Sequence, residues 1–206
     1  MEAVFKVDGA KVVTRGHAAG PWREDLQHGS AAAGLTTWAI EQLPTAAPMQ
    51  LARLTIGFFR PVPVADLVLK AAVLRHGRRI QVSAARLFLG EVELANASAL
   101  HIRTADLDLP PFPDTGGPAA APEQLPPPRL SLFPSPFLSG VSMRTEQPER
   151  IAGPRAIWFR LDRPLIEGLA TSPVVRAAMT ADLCNGTGAV LDRRTGPLST
   201  RTSRSI

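Results

Sequence analysis

The sequence predicts an α+β fold in which one long apolar helix packs against a curled antiparallel sheet. Residues 27–43 form an apolar run of helical length, in which Glu41 is the only charged residue. Four strand candidates follow between residues 51 and 103: three alternate with a period of two, and Asp66–Arg75 is apolar on both faces. Because the hydrophobic period changes only once, we expect one helix against one sheet rather than repeated strand–helix–strand units.

The predicted helix has recognisable ends and an unusual first turn. Ser30 is the expected N-cap, and Pro44 ends the run. A helix that is apolar on all sides is expected to be buried. Small residues in its first turn let another group approach the backbone closely, and the free N–H groups there favour negative charge.

Strands are predicted on both sides of this helix. The last of them places Ala95, Ala97 and Ala99 on one face, which leaves room for a closely packed helix. Two prolines, Pro61 and Pro63, mark an edge, a bulge or the end of the first long strand. The predicted strands are residues 4–7, Leu51–Phe59, Asp66–Arg75, Arg79–Leu89 and Val92–Arg103.

The rest of the chain differs in composition. Residues 104–150 contain eleven of the 20 prolines and are predicted to be a linker or extended crossover. After it, Ala156–Leu161 is a predicted strand, and Ser172 followed by proline starts a helix that runs from Val174 to about Cys184, with a C-cap at Asn185 and Gly186. The predicted units are therefore residues 1–103, 104–150 and 151–206.

Composition and charge exclude several functions. The net charge is +5, but the arginines are scattered and few aromatic residues lie between them, which argues against nucleic-acid binding. One cysteine allows no internal disulfide and fits a reducing compartment. We predict no membrane span and a cytoplasmic location, because the start of the chain has no signal-like apolar stretch. The four histidines show no metal-binding spacing, so neither a metal nor a cofactor is predicted.

Several short motifs together resemble a known family. They are G-P-W at 20–22, Q-H-G at 27–29, R-L-T-I-G-F-F-R-P-V-P-V at 53–64, G-R-R-I at 77–80 and A-D-L-C-N-G at 181–186. The chain resembles the acyl-CoA thioesterase-like proteins of double-hotdog fold, which are relatives of bacterial acyl-CoA thioesterase II. The resemblance runs from residue 1 to about 191 and is densest over 20–103. It implies two hotdog units, each a long helix wrapped by an antiparallel sheet, and hydrolysis of acyl-CoA to a fatty acid and CoA.

The resemblance also implies a catalytic constellation in the second unit. It consists of an Asp in the helix region, matched here by Asp182, and a Thr or Ser and a Gln on later strands, which together orient the attacking water. Residues after about 191 lack the period-two pattern that those strands need. We therefore expect an incomplete second unit, caused by a truncation or frameshift, and an inactive protein is one possible result. An uncovered sheet edge would favour a homo-oligomer.

Each candidate residue has a functional and an ordinary interpretation. Asp182 lies in an apolar helix, a costly place for a carboxylate, which favours catalysis over a solvent-facing position. His28 could contact the thioester or fix the start of the helix. The backbone N–H groups of Gly29 and Ser30 could polarise the thioester carbonyl or simply bind water.

Arginine and cysteine side chains give weaker signals. Arg60, Arg78 and Arg79 could bind the phosphates of CoA, although exposed arginines at strand ends are common. Cys184 is predicted to be a buried structural residue. The competing hypothesis for the whole chain is a non-catalytic acyl-CoA or lipid binder, or an assembly module.

Overall fold

A six-stranded antiparallel sheet forms the largest part of the computed structural model, which describes residues 1–106, 108, 110–111, 120–129, 134–149 and 156–187. The strand order is β1-β2-β4-β5-β6-β3, so β3 lies at one edge. The strands are β1 (Phe5–Asp8), β2 (Lys11–Thr14), β3 (Met49–Phe58), β4 (Leu67–His76), β5 (Ile80–Leu89) and β6 (Val92–Arg103).

The strand predictions are confirmed to within two residues at each end, and one strand of this six-stranded sheet was missed. The missed strand, β2, has only four residues and follows a turn at Gly9, whose φ of 56° suits glycine. The position of β3 at the sheet edge agrees with the prolines that follow it. A bulge interrupts its pairing with β6 between Leu51 and Arg53, well before those prolines.

The predicted central helix is α1 (Gly29–Glu41), and it packs on one face of the sheet. Ten of its thirteen residues are buried, as its apolar composition predicts. Its partners on the sheet include Ala95, Ala97 and Ala99, which are at most 1% exposed. The predicted N-cap was wrong: His28 is the N-cap, and its Nδ1 accepts a hydrogen bond from the N–H of Ser30.

The second unit, as far as it is described, consists of a two-stranded sheet and a helix. Strand β7 (Val141–Arg144) pairs with β8 (Trp158–Leu161), and α2 (Pro173–Thr187) follows. Ser172 caps α2 as predicted, because its Oγ accepts a hydrogen bond from the N–H of Val175 at 3.1 Å. The predicted C-cap was wrong, since α2 continues through residues 185 and 186 to Thr187.

Helices α1 and α2 pack against each other in antiparallel orientation. Ser30, near the start of α1, contacts Asp182 near the end of α2, and Glu41 at the end of α1 contacts Ser172 at the start of α2. Between these points a Cβ on Gly34 would lie 2.7 Å from Cγ of Met179. The absence of a side chain at Gly34 therefore allows the two helices to approach closely.

Part of the proline-rich region is integrated into the fold. Phe137 is only 3% exposed, belongs to the core, and its N–H donates to the carbonyl of Ala19 at 3.1 Å. This part of the predicted linker or crossover is therefore packed into the core. Strand β7 was not predicted, and the expected boundary at residue 150 falls between the paired strands β7 and β8. The three-part division stays a prediction.

Two expectations concern the ends of the chain and the membrane. Residues 188–206 lie outside the described part, so the predicted truncation or frameshift near residue 191 stays a prediction. Among the helices that the structure describes, none is long and apolar enough to cross a membrane.

Replacing Gly34 tests the close packing of the two helices. Gly34→Val should lower the free energy of unfolding by about 1–3 kcal/mol, because its side chain would overlap Met179 and Leu165. Chemical denaturation measures the change, and Ala177→Val on the exposed side of α2 is the matched control. A Gly34→Val/Met179→Ala double variant should lose less stability than the sum of the single changes. Full additivity would contradict the proposed contact.

Candidate active site

Asp182 lies in the third turn of α2, and its carboxylate meets the first turn of α1. The hydroxyl of Ser30 donates to Oδ2 of Asp182 at 2.9 Å. A Cβ on Gly29 would lie 2.9 Å from both carboxylate oxygens, so only glycine leaves room for them there. The negative charge thus lies at the N-terminal end of α1, where the helix dipole and free N–H groups stabilise it.

His28 lies beside the same carboxylate and has two contacts that compete. Its Nδ1 is 3.1 Å from the nitrogen of Ser30 and 3.4 Å from Oδ2 of Asp182. Accepting from the N–H of Ser30 requires Nδ1 without a proton, whereas donating to Asp182 requires Nδ1 with one. The shorter contact and its geometry favour the helix cap, so the contact with Asp182 is a hydrogen bond only when Nδ1 carries a proton.

The side chain of Phe137 fixes the orientation of the His28 ring. The two rings are stacked, with centroids 4.7 Å apart and planes inclined by 20°. His28 is largely buried, its side chain being 14% exposed, whereas that of Asp182 is 36% exposed. Ring stacking and the cap hydrogen bond together leave His28 little freedom to turn. The carboxylate is therefore the more accessible of the two groups.

The pKa of Asp182 reflects opposing influences. Burial raises the pKa, but hydrogen bonds from His28 and from the hydroxyl and N–H of Ser30 outweigh it, and the net pKa lies below the ordinary value. The contribution of His28 needs a proton on Nδ1 and competes with its role as cap. The contribution of the Ser30 hydroxyl is present in either state. Asp182 is therefore ionised at neutral pH.

An apolar groove of about 470 Å³ leads from Asp182 along the helix. It lies between α2 and the edge strand β3, and Asp182 is the only charged residue among those that line it. An apolar groove ending at a carboxylate can hold a ligand with an apolar tail and a polar reactive group. The other lining residues are Ala33, Leu51, Leu54, Ile56, Phe58, Val174, Ala177, Ala178 and Ala181.

The three candidate arginines lie at two different ends of α1. Arg60 lies near the start of α1, because Val62 two residues later accepts a hydrogen bond from the N–H of Gln27. Arg78 and Arg79 lie near the other end, since the neighbouring Gln81 donates to the carbonyl of Pro44. Thirteen helical residues separate the two ends by about 20 Å. The structure therefore does not bring the three arginines together.

The structure also changes the expectations for Gly29 and Ser30. Both the hydroxyl and the N–H of Ser30 have partners within the protein, so Ser30 holds Asp182 and is not free to bind a carbonyl oxygen. The N–H of Gly29 has no partner inside the helix by its position, and the described part of the chain offers it none. Direct contact of His28, Gly29 or Ser30 with a substrate stays a prediction.

Sequence reasoning missed the cross-helix contact and misjudged Cys184. Ser30 and Asp182 are 152 residues apart, and no local pattern links them. The only available signal was the family resemblance, which implies a second hotdog unit with a long helix of its own. Cys184 is exposed, not buried as predicted. Among the described residues no group of three or more His, Cys, Asp or Glu could hold a metal ion.

Removing the Ser30 hydroxyl tests its hold on the carboxylate. Ser30→Ala should raise the pKa of Asp182, because the buried carboxylate loses a hydrogen bond to its charged form. A carboxyl-detected NMR titration measures it. Asp162 is the internal control, because different partners, Ser142 and Arg160, lower its pKa. An unchanged pKa for Asp182 would show that Ser30 does not stabilise its charge.

Comparison with known proteins identifies the domain that contains α1. The family model for the acyl-CoA thioesterase N-terminal domain matches residues 18–102, which hold α1 and strands β3 to β6. A comparison with curated proteins found no significant match.

Solved structures show the same fold over most of the chain. A conserved hotdog-fold protein of unknown function from Alicyclobacillus acidocaldarius has a TM-score of 0.63 and 17% identity, over 86% of this chain and 66% of that one. A proposed thioesterase from Novosphingobium aromaticivorans has a TM-score of 0.62 and 20% identity, over 91% and 76%. The TesB protein of Mycobacterium avium subspecies paratuberculosis has a TM-score of 0.52 and 18% identity, over 87% and 64%.

These likenesses confirm the predicted α+β hotdog fold. The chain covers slightly less than two thirds of the Alicyclobacillus and Mycobacterium proteins. Residues 18–102, with the central helix and most of the antiparallel sheet, match the acyl-CoA thioesterase N-terminal domain, and the chain as described has the hotdog fold.

Proposed function

We propose that this protein hydrolyses acyl-CoA thioesters to a fatty acid and CoA, with Asp182 activating the attacking water. The observation that carries the proposal is the position of Asp182, an ionised carboxylate at the mouth of an apolar groove and over the start of a helix. The groove suits an acyl chain, and the carboxylate suits general base catalysis. The family match over residues 18–102 supports the same substrate class.

The proposed reaction needs only water and the thioester. Asp182 accepts a proton from water as the water oxygen bonds to the carbonyl carbon, and the C=O electrons move to oxygen. The unpaired N–H of Gly29 donates to that oxyanion. Collapse restores C=O and breaks the C–S bond, and the sulfur leaves with the proton held by Asp182. The products are a fatty acid and CoA.

The groove explains where the acyl chain would lie relative to Gly29. Ala33, which lines the groove, is four residues after Gly29 and therefore on the same face of α1. An acyl chain between β3 and α2 would thus have its carbonyl end beside Gly29 and Asp182. Asp182 and Val174 are eight residues apart on α2, so the lined length is about 12 Å.

Arg60 is the best placed of the three arginines for the CoA part of the same substrate. It is exposed, comes two residues after Phe58 of the groove, and forms no ion pair within the described residues. An arginine in this position could bind phosphate in a bidentate manner. Arg78 and Arg79 are about one helix length away and have no part in this proposal.

A non-catalytic acyl-CoA binder is the second candidate. It is favoured by the close contacts of the Asp182 carboxylate with Gly29 and Ser30, which leave one face of the carboxylate covered. A binder would use the groove and Arg60 to bind acyl-CoA but would not hydrolyse it. The predicted homo-oligomer and cytoplasmic location stay predictions.

Substituting Asp182 separates the two candidates. Asp182→Asn should lower kcat for acyl-CoA hydrolysis by about 10²–10⁴-fold, because it removes the general base and keeps the shape. A thiol-reactive dye measures released CoA. Asp25→Asn, an exposed aspartate paired with Arg23, is the matched control and should keep full activity. Equal hydrolysis by wild type and Asp182→Asn would remove Asp182 from the mechanism, and CoA binding without hydrolysis by wild type would establish the binder.

Filling the groove tests the position of the acyl chain. Ala177→Phe should raise KM for long acyl-CoAs by about tenfold and leave acetyl-CoA unchanged, because the ring would occupy space needed by distal methylenes. Thr55→Phe, at an exposed position of β3 outside the groove lining, is the control. An equal change in KM at every chain length would place the acyl chain elsewhere.

A further inference from the structure

The far end of the helix pair repeats the arrangement found at Asp182. There the hydroxyl of Ser172, the N-cap of α2, donates to Oε2 of Glu41 at 2.6 Å. Ser30 donates in the same way to Asp182 at the near end. Each helix therefore places a carboxylate from its C-terminal half against a serine at the start of the other helix. The two ends of the helix pair are related by an approximate two-fold axis.

Two buried side chains beside Glu41 have polar atoms without partners. His101 is 7% exposed and its Nδ1 has no hydrogen bond, and Gln81 is fully buried and its Oε1 has none. The two residues are direct partners in the β5–β6 pairing. Leaving such buried atoms unsatisfied is unfavourable, so a bound group that pairs with both would be stabilised.

Contacts place both side chains at the end of α1. The amide nitrogen of Gln81 donates to the carbonyl of Pro44 at 3.2 Å, three residues after Glu41. Burial lowers the pKa of His101, and the charge of Glu41 opposes that effect, so Glu41 lies within electrostatic range of the ring. A neutral His101 offers one donor and one acceptor nitrogen to a ligand.

Two arginines flank this cluster. Arg103 is two residues after His101 in β6, so alternation directs it toward the face that carries His101, and Arg79 lies just before β5, two residues before Gln81. The N–H of Arg103 donates to the carbonyl of Arg79 at 2.9 Å, which brings the two residues together. Both are exposed, and neither forms an ion pair in the part of the chain that is described.

The apolar groove reaches this end as well. Leu51, which lines it, is the pairing partner of His101, and Val174, which also lines it, is two residues after Ser172. An apolar chain in the groove can therefore be approached by a polar head group from either end.

We propose that the Glu41 end is a second ligand site, which takes a phosphate-bearing thioester or thiol of the CoA class. Arg79 and Arg103 bind its phosphates, and guanidinium groups can do so in a bidentate manner. Gln81 and His101 pair with the polar group that follows, beside Glu41. The choice of ligand class rests on the proposed function. The existence of the second site does not, because it has no polar residue in common with the site around Asp182.

The stoichiometry of CoA binding tests this site on the full chain. Isothermal titration with CoA should give two sites per wild-type chain, and Arg79→Ala/Arg103→Ala should leave one. Arg53→Ala/Arg75→Ala removes the same charge from exposed positions that pair on the other face, opposite Leu100 and Val82, and should keep both sites. Inorganic pyrophosphate, titrated separately, should bind at least tenfold more weakly than CoA to the site lost in the Arg79/Arg103 variant.

The outcomes separate this inference from the proposed function. One CoA per wild-type chain, together with hydrolysis that Asp182→Asn abolishes, overturns the second site and leaves the proposed function intact. Two sites without hydrolysis support the second site and remove the catalytic proposal. Equal losses in both arginine variants, or pyrophosphate binding as tight as that of CoA, would reduce the site to general anion attraction and overturn it.

Discussion

The antiparallel packing of α1 on α2 is the constraint on which the rest of the structure depends. Gly34 lets the helices approach until Met179 touches the backbone of α1, and this distance brings both helix ends into contact. Ser30 and Asp182 lie in different helices and not in paired strands, so only the close packing of the helices brings them into contact. The site is thus a product of helix packing, whereas the sheet supplies the surface on which α1 rests.

The same packing gives Asp182 its chemical character. A carboxylate at this depth would ordinarily resist ionisation, but the start of α1 provides a hydroxyl, N–H groups and the positive end of a dipole. Gly29 contributes by having no side chain where the carboxylate lies. A lowered pKa makes Asp182 a weak base, so orientation of water and a good thiolate leaving group would matter more than proton affinity.

The sequence predicted the sheet and both helices well, because their signals are local. Period-two alternation predicted β3, β5 and β6, a run apolar on both faces predicted β4, and the long apolar run predicted α1. The missed features are non-local or short: β2 and β7 have four residues each, and the Ser30–Asp182 contact spans 152 residues. His28, and not Ser30, is the N-cap because its imidazole nitrogen accepts the N–H of Ser30, and the hydroxyl of Ser30 donates to Asp182.

The Nδ1 atom of His28 lies within reach of both the first turn of α1 and the carboxylate of Asp182. Without a proton, Nδ1 caps the start of α1 by accepting the N–H of Ser30. With a proton, it can donate to Asp182 and no longer accepts that N–H. Nδ1 can therefore either accept the N–H of Ser30 with its lone pair or, when it carries a proton, donate to Asp182, but it cannot do both at once. Because Nδ1 lies 3.1 Å from the nitrogen of Ser30 and 3.4 Å from Oδ2 of Asp182, the exchange requires little movement of the ring, which stacking on Phe137 holds in place.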